Sequence, residues 1–231
     1  MKIGIFGGTY NPPHLGHMAA AKAAIETLHL DKLLLIPDRI PPHKDLPENP
    51  VSNEDRLAMT RIMGDRLDCP DVVEVSDLEM HRTGKSYTAD TLRQLRQVYP
   101  TDELWLMMGT DMFLTLHSWY QPEEILKRSG ILTFGRNQDD TIELFDRQTA
   151  FLEATYGTCV QVQVIDLPGL VEVSSTQLRQ ALANGGGQEY LDPSIYGYIL
   201  RKGLYGTHAD MKALSLPDLR AVSYSMIYSK R

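Results

Sequence analysis

Short apolar segments alternate with longer helical patterns along this chain, and this alternation limits its fold more than any other feature. The predicted strands cover residues 3–6, 33–36, 72–75, 104–108, 130–134 and 160–167. The predicted helices cover 15–28, 53–67, 88–98, 174–183 and a segment that begins at 122–127. Because crossover helices join parallel strands, the pattern predicts an α/β fold: a doubly wound parallel sheet with helices on both faces.

The position of a binding site follows from this prediction. In open parallel sheets, ligands bind beyond the carboxyl ends of the strands. The residues that directly follow each predicted strand are therefore the first candidates for chemistry.

Composition excludes several classes of protein. The chain has 231 residues, 42% of them hydrophobic, and a formal net charge of −7. This mix is typical of a globular chain, and the negative charge argues against general affinity for nucleic acid. It does not exclude a small polyanion, because a local cluster of donors can bind one phosphate chain.

The location of the protein is also constrained. Its two cysteines, Cys69 and Cys159, are too few for a disulfide framework, and thiols in a reducing compartment are expected. No apolar run approaches the roughly 20 residues of a membrane helix, and the first residues do not resemble a signal peptide. We therefore expect a cytoplasmic protein that contacts neither membrane nor nucleic acid.

The strongest motif follows the first predicted strand. Residues 7–17, GGTYNPPHLGH, join that strand to a helix. Glycine lets backbone approach a ligand closely, and the helix start favours an anion. His14 and His17 are three residues apart and can lie on one side of the helix start. The segment matches neither a P-loop nor GxGxxG.

Taken alone, a His-x-x-His pair is a weak signal. A zinc site would need further ligands, and His43, His81 and His117 stand at no suggestive spacing. We therefore predict no protein metal ligands, and a zinc protein stays an alternative that elemental analysis would test.

A second motif opens a later helix. Residues 174–179 read SSTQLR, and hydroxyls at a helix start can hold phosphate together with an arginine one turn on. Taken alone, this segment is more simply an N-cap and a surface arginine.

Together, HxGH and SSTxxR resemble the nucleotidyltransferase superfamily of adenylyl- and cytidylyltransferases. The first loop is most similar to the branch of bacterial nicotinate-mononucleotide adenylyltransferases. The resemblance covers roughly residues 1–207, and its further segments are Pro41–Lys44, Ser86–Leu92, Gly109–Asp111, Trp119–Tyr120, Tyr198–Ile199 and Leu204–Tyr205.

The resemblance implies a Rossmann-like fold and an activity. AMP would pass from ATP to nicotinate mononucleotide by direct in-line attack, giving deamido-NAD and pyrophosphate, with Mg²⁺ accompanying ATP. The implied catalytic residues are His14, His17, Lys44 and Arg179. The implied ATP-binding residues are Gly7, Gly8, Thr9, His14, His17, Ser174, Ser175, Thr176 and Arg179.

The resemblance also implies a site for the mononucleotide. Trp119 would stack on the pyridine ring, Asp111 would bind a ribose hydroxyl, and Thr88 with backbone near Tyr120 would bind the nicotinate carboxylate. The implied set is Asn11, Lys44, Thr88, Gly109, Asp111, Trp119, Tyr120 and Arg136.

Several alternatives stay open. The acceptor could be nicotinamide mononucleotide or another small nucleotide, or the chain could be a nucleotide-binding regulatory module. The resemblance leaves open a homo-oligomer and closure of the proline-rich loop 41–50 over substrate. Residues 208–231 form a predicted helical extension, either the start of a removed downstream domain or a helix that packs on this domain or another subunit.

Overall fold

The computed structural model describes residues 1–42, 50–135, 141–167 and 174–208. The strands are β1 (Lys2–Gly8), β2 (Lys32–Pro37), β3 (Val73–Val75), β4 (Glu103–Gly109), β5 (Gly130–Gly135) and β6 (Val162–Asp166). The helices are α1 (Leu15–Leu28), α2 (Asn53–Arg66), α3 (Thr88–Val98), α4 (Thr110–Leu114), α5 (Pro122–Arg128), α6 (Ile142–Tyr156), α7 (Ser175–Ala183) and α8 (Pro193–Lys202). Three 3₁₀ turns lie at Leu116–Ser118, Gln188–Tyr190 and Leu204–Gly206.

The six strands form one sheet in the order β3-β2-β1-β4-β5-β6. All neighbouring strands pair in parallel. This order is that of a doubly wound Rossmann-like sheet, and its direction reverses between β1 and β4. The predicted fold class is therefore confirmed.

The sheet separates two hydrophobic cores. Side chains alternate along each strand, so Leu33 and Leu35 of β2 enter one core while Leu34 and Ile36 enter the other. The first core contains buried residues of α1, α2, α7 and α8, and the second contains those of α3, α5 and α6. Burial on both faces explains why the strands are continuous apolar runs rather than alternating ones.

β1 and β4 separate before they end. The last paired residues are Ile5 and Leu106, whereas the strands continue to Gly8 and Gly109. Gly7 is exposed, and a Cβ built there would meet no atom within 4 Å. An open crevice therefore lies at the carboxyl edge of the sheet, where its strand order reverses.

The predicted helices at 15–28 and 88–98 have the bounds of α1 and α3. Ser52 caps α2, since its hydroxyl accepts from the Asp55 backbone N–H at 3.0 Å. The sequence analysis did not predict α4, α6 or α8. In α6, exposed Ile142 and Phe151 obscure the apolar stripe that a half-buried helix usually shows.

Some predictions fall outside the described residues. His43, Lys44, Arg136 and all but the first residue of the predicted helical extension 208–231 lie there, so the closing loop and the domain boundary stay predictions. In the part of the chain that the structure describes, no helix has the length and apolarity needed to span a membrane. Cys69 and Cys159 are both free thiols.

Candidate active site

The buried side chain of Tyr10 supports the first loop, residues 7–17, on its core side. This side chain is 1% exposed, and its hydroxyl donates to the Phe6 carbonyl at 2.7 Å. Its backbone is left-handed, with φ of 46°, and its ring packs beneath Gly8. Burial raises the pKa of the Tyr10 phenol, so the hydroxyl keeps its proton and stays a donor. Tyr10 is therefore part of the support of the loop rather than of its ligand surface.

A buried arginine of α2 also binds the first loop, at Thr9. Arg56 is 1% exposed and donates to the Thr9 carbonyl at 2.7 Å. It also forms an ion pair with Asp38, at 3.3 Å, and donates to the Arg39 carbonyl at 3.0 Å. The Thr9 hydroxyl donates to the other oxygen of Asp38 at 2.9 Å. This network joins the first loop to the residues that follow β2.

The two histidines of the loop lie against each other at the start of α1. Their ring centroids are 3.8 Å apart, and the His14 backbone N–H donates to His17 Nδ1 at 3.2 Å. A nitrogen that accepts a hydrogen bond carries no proton, so in the neutral ring the proton sits on Nε2. His17 thus has a defined donor nitrogen at the start of α1. Phe6 and Tyr10 pack on its ring, with centroids 6.0 and 5.2 Å away.

The second motif docks directly onto the first loop. The Ser175 hydroxyl donates to the Pro12 carbonyl at 3.2 Å. One Arg179 nitrogen donates to the Asn11 carbonyl at 2.8 Å, and the other donates to the Thr176 hydroxyl at 3.0 Å. Two motifs that stand more than 160 residues apart in sequence therefore form one surface.

Tyr205 secures the opposite side of Asn11. Its hydroxyl donates to Asn11 Oδ1 at 2.7 Å, and burial raises the pKa of this phenol. Asn11 is itself 3% exposed. Its backbone carbonyl and its side chain are thus both engaged by residues from the last part of the described chain.

The surface formed by the two motifs suits an anion. The first turns of α1 and α7, both within the described residues, contain no acidic side chain. The first turns of α2, α3 and α5 do contain carboxylates. The positive ends of α1 and α7 are therefore not neutralised locally, and a phosphate chain can take that place.

A second group of predicted residues lies across the crevice. Gly109 precedes α4, Asp111 is exposed, and Trp119 is half-buried against the second core. The rings of Tyr87 and Tyr120 lie 4.4 Å apart, which brings the start of α3 beside the segment of Trp119. An aromatic surface thus lies near the end of β4 and the start of α3.

Comparison with known proteins agrees with this geometry. A family model described as cytidylyltransferase-like matches residues 5–181. This chain belongs to the cytidylyltransferase-like family. A relative from Carboxydothermus hydrogenoformans, named "Probable nicotinate-nucleotide adenylyltransferase", is 36% identical over 205 residues, covering 88% of this chain and 98% of the relative. A protein of the same name from Pseudomonas syringae pv. tomato is 36% identical over 213 residues, covering 88% and 93%.

Solved structures share the fold. The nicotinic acid mononucleotide adenylyltransferase of Plasmodium falciparum complexed with NaAD has a TM-score of 0.72 at 19% identity, covering 90% of this chain and 99% of that one. A putative nicotinate-nucleotide adenylyltransferase from Vibrio parahaemolyticus has a TM-score of 0.60 at 25% identity, covering 89% and 95%. Membership of the cytidylyltransferase-like family and the observed sheet order are thus consistent with each other.

The structure brings the predicted site residues into two groups. The first contains Gly7, Gly8, Thr9, Asn11, His14, His17, Ser174, Ser175, Thr176 and Arg179. The second contains Thr88, Gly109, Asp111, Trp119 and Tyr120. The two groups lie at the ends of β1 and β4, on either side of the crevice between these strands.

Sequence reasoning missed the residues that support the first group. Asp38 directly follows β2, and that position was an available signal. The sequence gives no indication that Arg56 is buried, because an arginine inside a charged helix such as α2 is usually solvated. Tyr205 was noted as part of the resemblance, but its contact with Asn11 depends on tertiary structure.

The donor set also bears on metal binding. In the ranges that the structure covers, no three His, Cys, Asp or Glu side chains form a cluster that could hold a metal ion. The groups at the first loop and α7 are imidazole, hydroxyl and guanidinium, which suit phosphate oxygens rather than a hard cation. A magnesium ion at this cytidylyltransferase-like site would therefore be held by phosphates and water.

Glu79 has an unusual environment behind the second group. It is 6% exposed, and burial raises its pKa to about 7, although the Thr91 hydroxyl and the charge of Arg82 act in the opposite direction. The folded chain therefore binds this proton more tightly than the unfolded chain does. Stability contributed by the protonated form is lost as pH rises from the ordinary Glu value of 4.5 toward about 7.

We expect Glu79→Gln to remove this loss. A shift of this size corresponds to about 3 kcal/mol, so the variant should be more stable than the parent by up to that amount at pH 8 and about equal at pH 5. Urea unfolding of both proteins between pH 5 and 8 measures the difference. A difference in unfolding free energy that stays constant from pH 5 to pH 8 would contradict the raised pKa of Glu79.

Proposed function

We propose that this chain transfers AMP from ATP to nicotinate mononucleotide, giving nicotinate adenine dinucleotide and pyrophosphate in NAD biosynthesis. The observation that supports the proposal is the contact between the two motifs: Arg179 donates to the Asn11 carbonyl at 2.8 Å, so α7 and the first loop could bind one phosphate chain together. The names of the relatives supply the nature of the acceptor.

The chemistry is a direct displacement. A phosphate oxygen of the mononucleotide attacks the α-phosphorus of ATP, a new P–O bond forms, and the bond to the β-phosphate oxygen breaks. Pyrophosphate leaves with the electron pair of that bond. The attacking phosphate is already an anion, so no covalent enzyme intermediate is needed. Catalysis then consists mostly of positioning and of stabilising charge on the transferred group.

His17 has the geometry for that stabilisation. Its Nδ1 accepts from the His14 backbone, which leaves Nε2–H as the donor. A neutral, oriented donor at the positive end of α1 suits an oxygen on the α-phosphate in the transition state. His14, Ser175, Thr176 and Arg179 would bind the remaining phosphate oxygens. Lys44 would bridge the phosphates of the two substrates.

The second group would hold the mononucleotide. Trp119 would stack on the pyridine ring, and Thr88 with backbone near Tyr120 would donate to the nicotinate carboxylate. Asp111, exposed after Gly109 at the end of β4, would accept from a ribose hydroxyl, following the position of acidic residues in dinucleotide-binding sheets. Asn11 and Arg136 complete the proposed set. Mg²⁺ would enter with ATP and reduce the negative charge of its phosphates.

The decisive experiment compares acceptors. Pyrophosphate release from ATP is measured with nicotinate mononucleotide, nicotinamide mononucleotide and phosphopantetheine. We expect kcat/KM for the nicotinate form to exceed that for the amide at least about tenfold, because an amide NH₂ would face donors placed for a carboxylate.

Each other outcome has a defined meaning. Equal rates with the two pyridine nucleotides would make the enzyme a dual-specificity adenylyltransferase. Release with none of the acceptors, in a chain that still binds ATP, would favour the regulatory module. A cytoplasmic location and homo-oligomer formation stay predictions, which fractionation and light scattering would test.

A further inference from the structure

Glu79 lies in the turn between β3 and α3, behind the segment of residues 86–91. The Thr91 hydroxyl donates to Glu79 Oε1, and the Ser86 hydroxyl also hydrogen-bonds to this carboxyl. Ser86 and Thr91 are 4% and 3% exposed. A single buried carboxyl group therefore holds both ends of the segment that contains Tyr87 and Thr88.

Arg82 strengthens the same arrangement. Its guanidinium donates to the Thr91 hydroxyl at 3.1 Å, to the Tyr87 carbonyl at 3.4 Å and to Gln94 Oε1 at 2.6 Å. The Thr91 hydroxyl thus accepts from Arg82 while it donates to Glu79. Its orientation depends on both partners, and removal of the carboxyl would leave the hydroxyl proton with the longer contact to the Tyr87 carbonyl, at 3.3 Å.

Ser86 connects this segment to the rest of the site. Its backbone N–H donates to the Ile40 carbonyl at 2.9 Å, and its hydroxyl accepts from the Arg39 backbone N–H at 3.2 Å. Arg56 reaches the same stretch through the Arg39 carbonyl. Glu79 therefore lies where the start of α3 meets the stretch after β2 that also supports the first loop.

We propose that Glu79 is a positioning residue for the mononucleotide, which holds Ser86 and Thr91 so that Thr88 faces the acceptor. This proposal rests on the proposed function, because Thr88 belongs to the acceptor site only in that reaction. Glu79 itself is buried and touches no substrate, so its effect passes through the 86–91 segment. The Tyr87 ring against Tyr120 extends the effect toward Trp119.

The charge of Glu79 adds a second signature. The titratable groups that act on it or that it acts on are Arg82 in its own turn, Asp38 after β2 and the Tyr10 phenol of the first loop. An ionised carboxylate accepts from both hydroxyls, whereas a protonated one must donate to a neighbour. Because burial raises the pKa of Glu79 to about 7, the hold on the segment should tighten as pH rises through neutrality.

Glu79→Ala tests the position directly. We expect KM for nicotinate mononucleotide to rise about tenfold, while kcat and KM for ATP change less than about twofold. Thr91→Val removes the hydroxyl with little change of shape and should give the same pattern, with no further increase in the double variant. Asp77→Ala, an exposed carboxylate in the same region, is the matched control and should leave all constants unchanged.

Glu79→Gln separates charge from hydrogen bonding. Its amide keeps an acceptor oxygen but cannot ionise. We expect its KM for the mononucleotide to equal that of the parent at pH 6 and to exceed it about threefold at pH 8. Ionisation of the substrate phosphate and of the histidines affects both proteins equally. The ratio of their KM values therefore reports the ionisation of Glu79 alone.

Failure of the proposed function and failure of the positioning role of Glu79 give different results. A parent protein that forms no dinucleotide overturns the proposed function. An active parent whose Glu79→Ala and Thr91→Val variants keep the mononucleotide KM overturns the positioning role. Equal loss in kcat and in both KM values, with a lowered Tm, would make Glu79 merely structural and also overturns it. If Glu79→Ala does not fold, Thr91→Val and Glu79→Gln decide alone.

Discussion

Replacing His17 with alanine is expected to lower kcat about 10³-fold while the fold survives. The reason lies in the donor that His17 presents at the start of α1: its Nδ1 accepts from the His14 backbone N–H, which places the proton of the neutral ring on Nε2. Removal of one oriented donor from a transition-state site typically costs 10²–10³ in kcat, and the positive helix end adds to this value. Single-turnover rates of dinucleotide formation measure the effect.

Matched variants of His17 separate catalysis from helix capping. Asparagine can accept from the His14 N–H as Nδ1 does, but it cannot place a donor where Nε2 stands. His17→Asn should therefore keep the parent's Tm and lose the rate, whereas His17→Gln should recover part of the rate. Normal turnover in His17→Ala would remove this side chain from the mechanism, and an equal loss of Tm in all three variants would point to a capping role.

Arg179 is expected to show the second largest effect. Its two nitrogens donate to the Asn11 carbonyl and the Thr176 hydroxyl, so it joins the first loop to α7, and in the proposed reaction its charge would face the phosphates of ATP. Arg179→Ala should lower kcat/KM for ATP about 300-fold, since it removes an ionic phosphate contact and the support of the loop together. Steady-state kinetics with varied ATP at saturating mononucleotide measure this loss.

Lysine is the informative control at this position. Arg179→Lys keeps the charge but lacks the planar fork, so it cannot bond to both Asn11 and Thr176. We expect kcat/KM for ATP in Arg179→Lys to be about tenfold higher than in Arg179→Ala, and still well below that of the parent. Full recovery would mean that charge alone matters and would contradict the bridging role of the guanidinium.

The sequence predicted those features that local patterns determine. Strand runs between glycine and proline located the sheet, and the helix at Leu15–Leu28 had its observed bounds. The spacing of His14 and His17 predicted that they can lie on one side of the helix start, and the structure shows their rings in contact. α8 was missed although Asp192 and Pro193 form a recognisable N-terminal signal.

Other features depend on tertiary contacts that no local pattern encodes. Arg56 lies in a helix rich in charged residues, yet it is almost fully buried and contacts Thr9 and Asp38. Glu79 gave no pattern at all, since its environment is created by Ser86 and Thr91 from the other end of a loop. The resemblance named the site residues, but only the fold shows which side chains support them.

The contacts of Asn11 also determine when the site can exist. Its partners Arg179 and Tyr205 lie 168 and 194 positions further along the chain. Contacts of such sequence separation form late and slow folding, because a long loop must close first. At ribosomal elongation rates, the first loop emerges about 10 to 40 s before Tyr205 does. During synthesis the two histidines are thus exposed without α7 and Tyr205 against Asn11, and catalytic competence arises only with one of the last folding events.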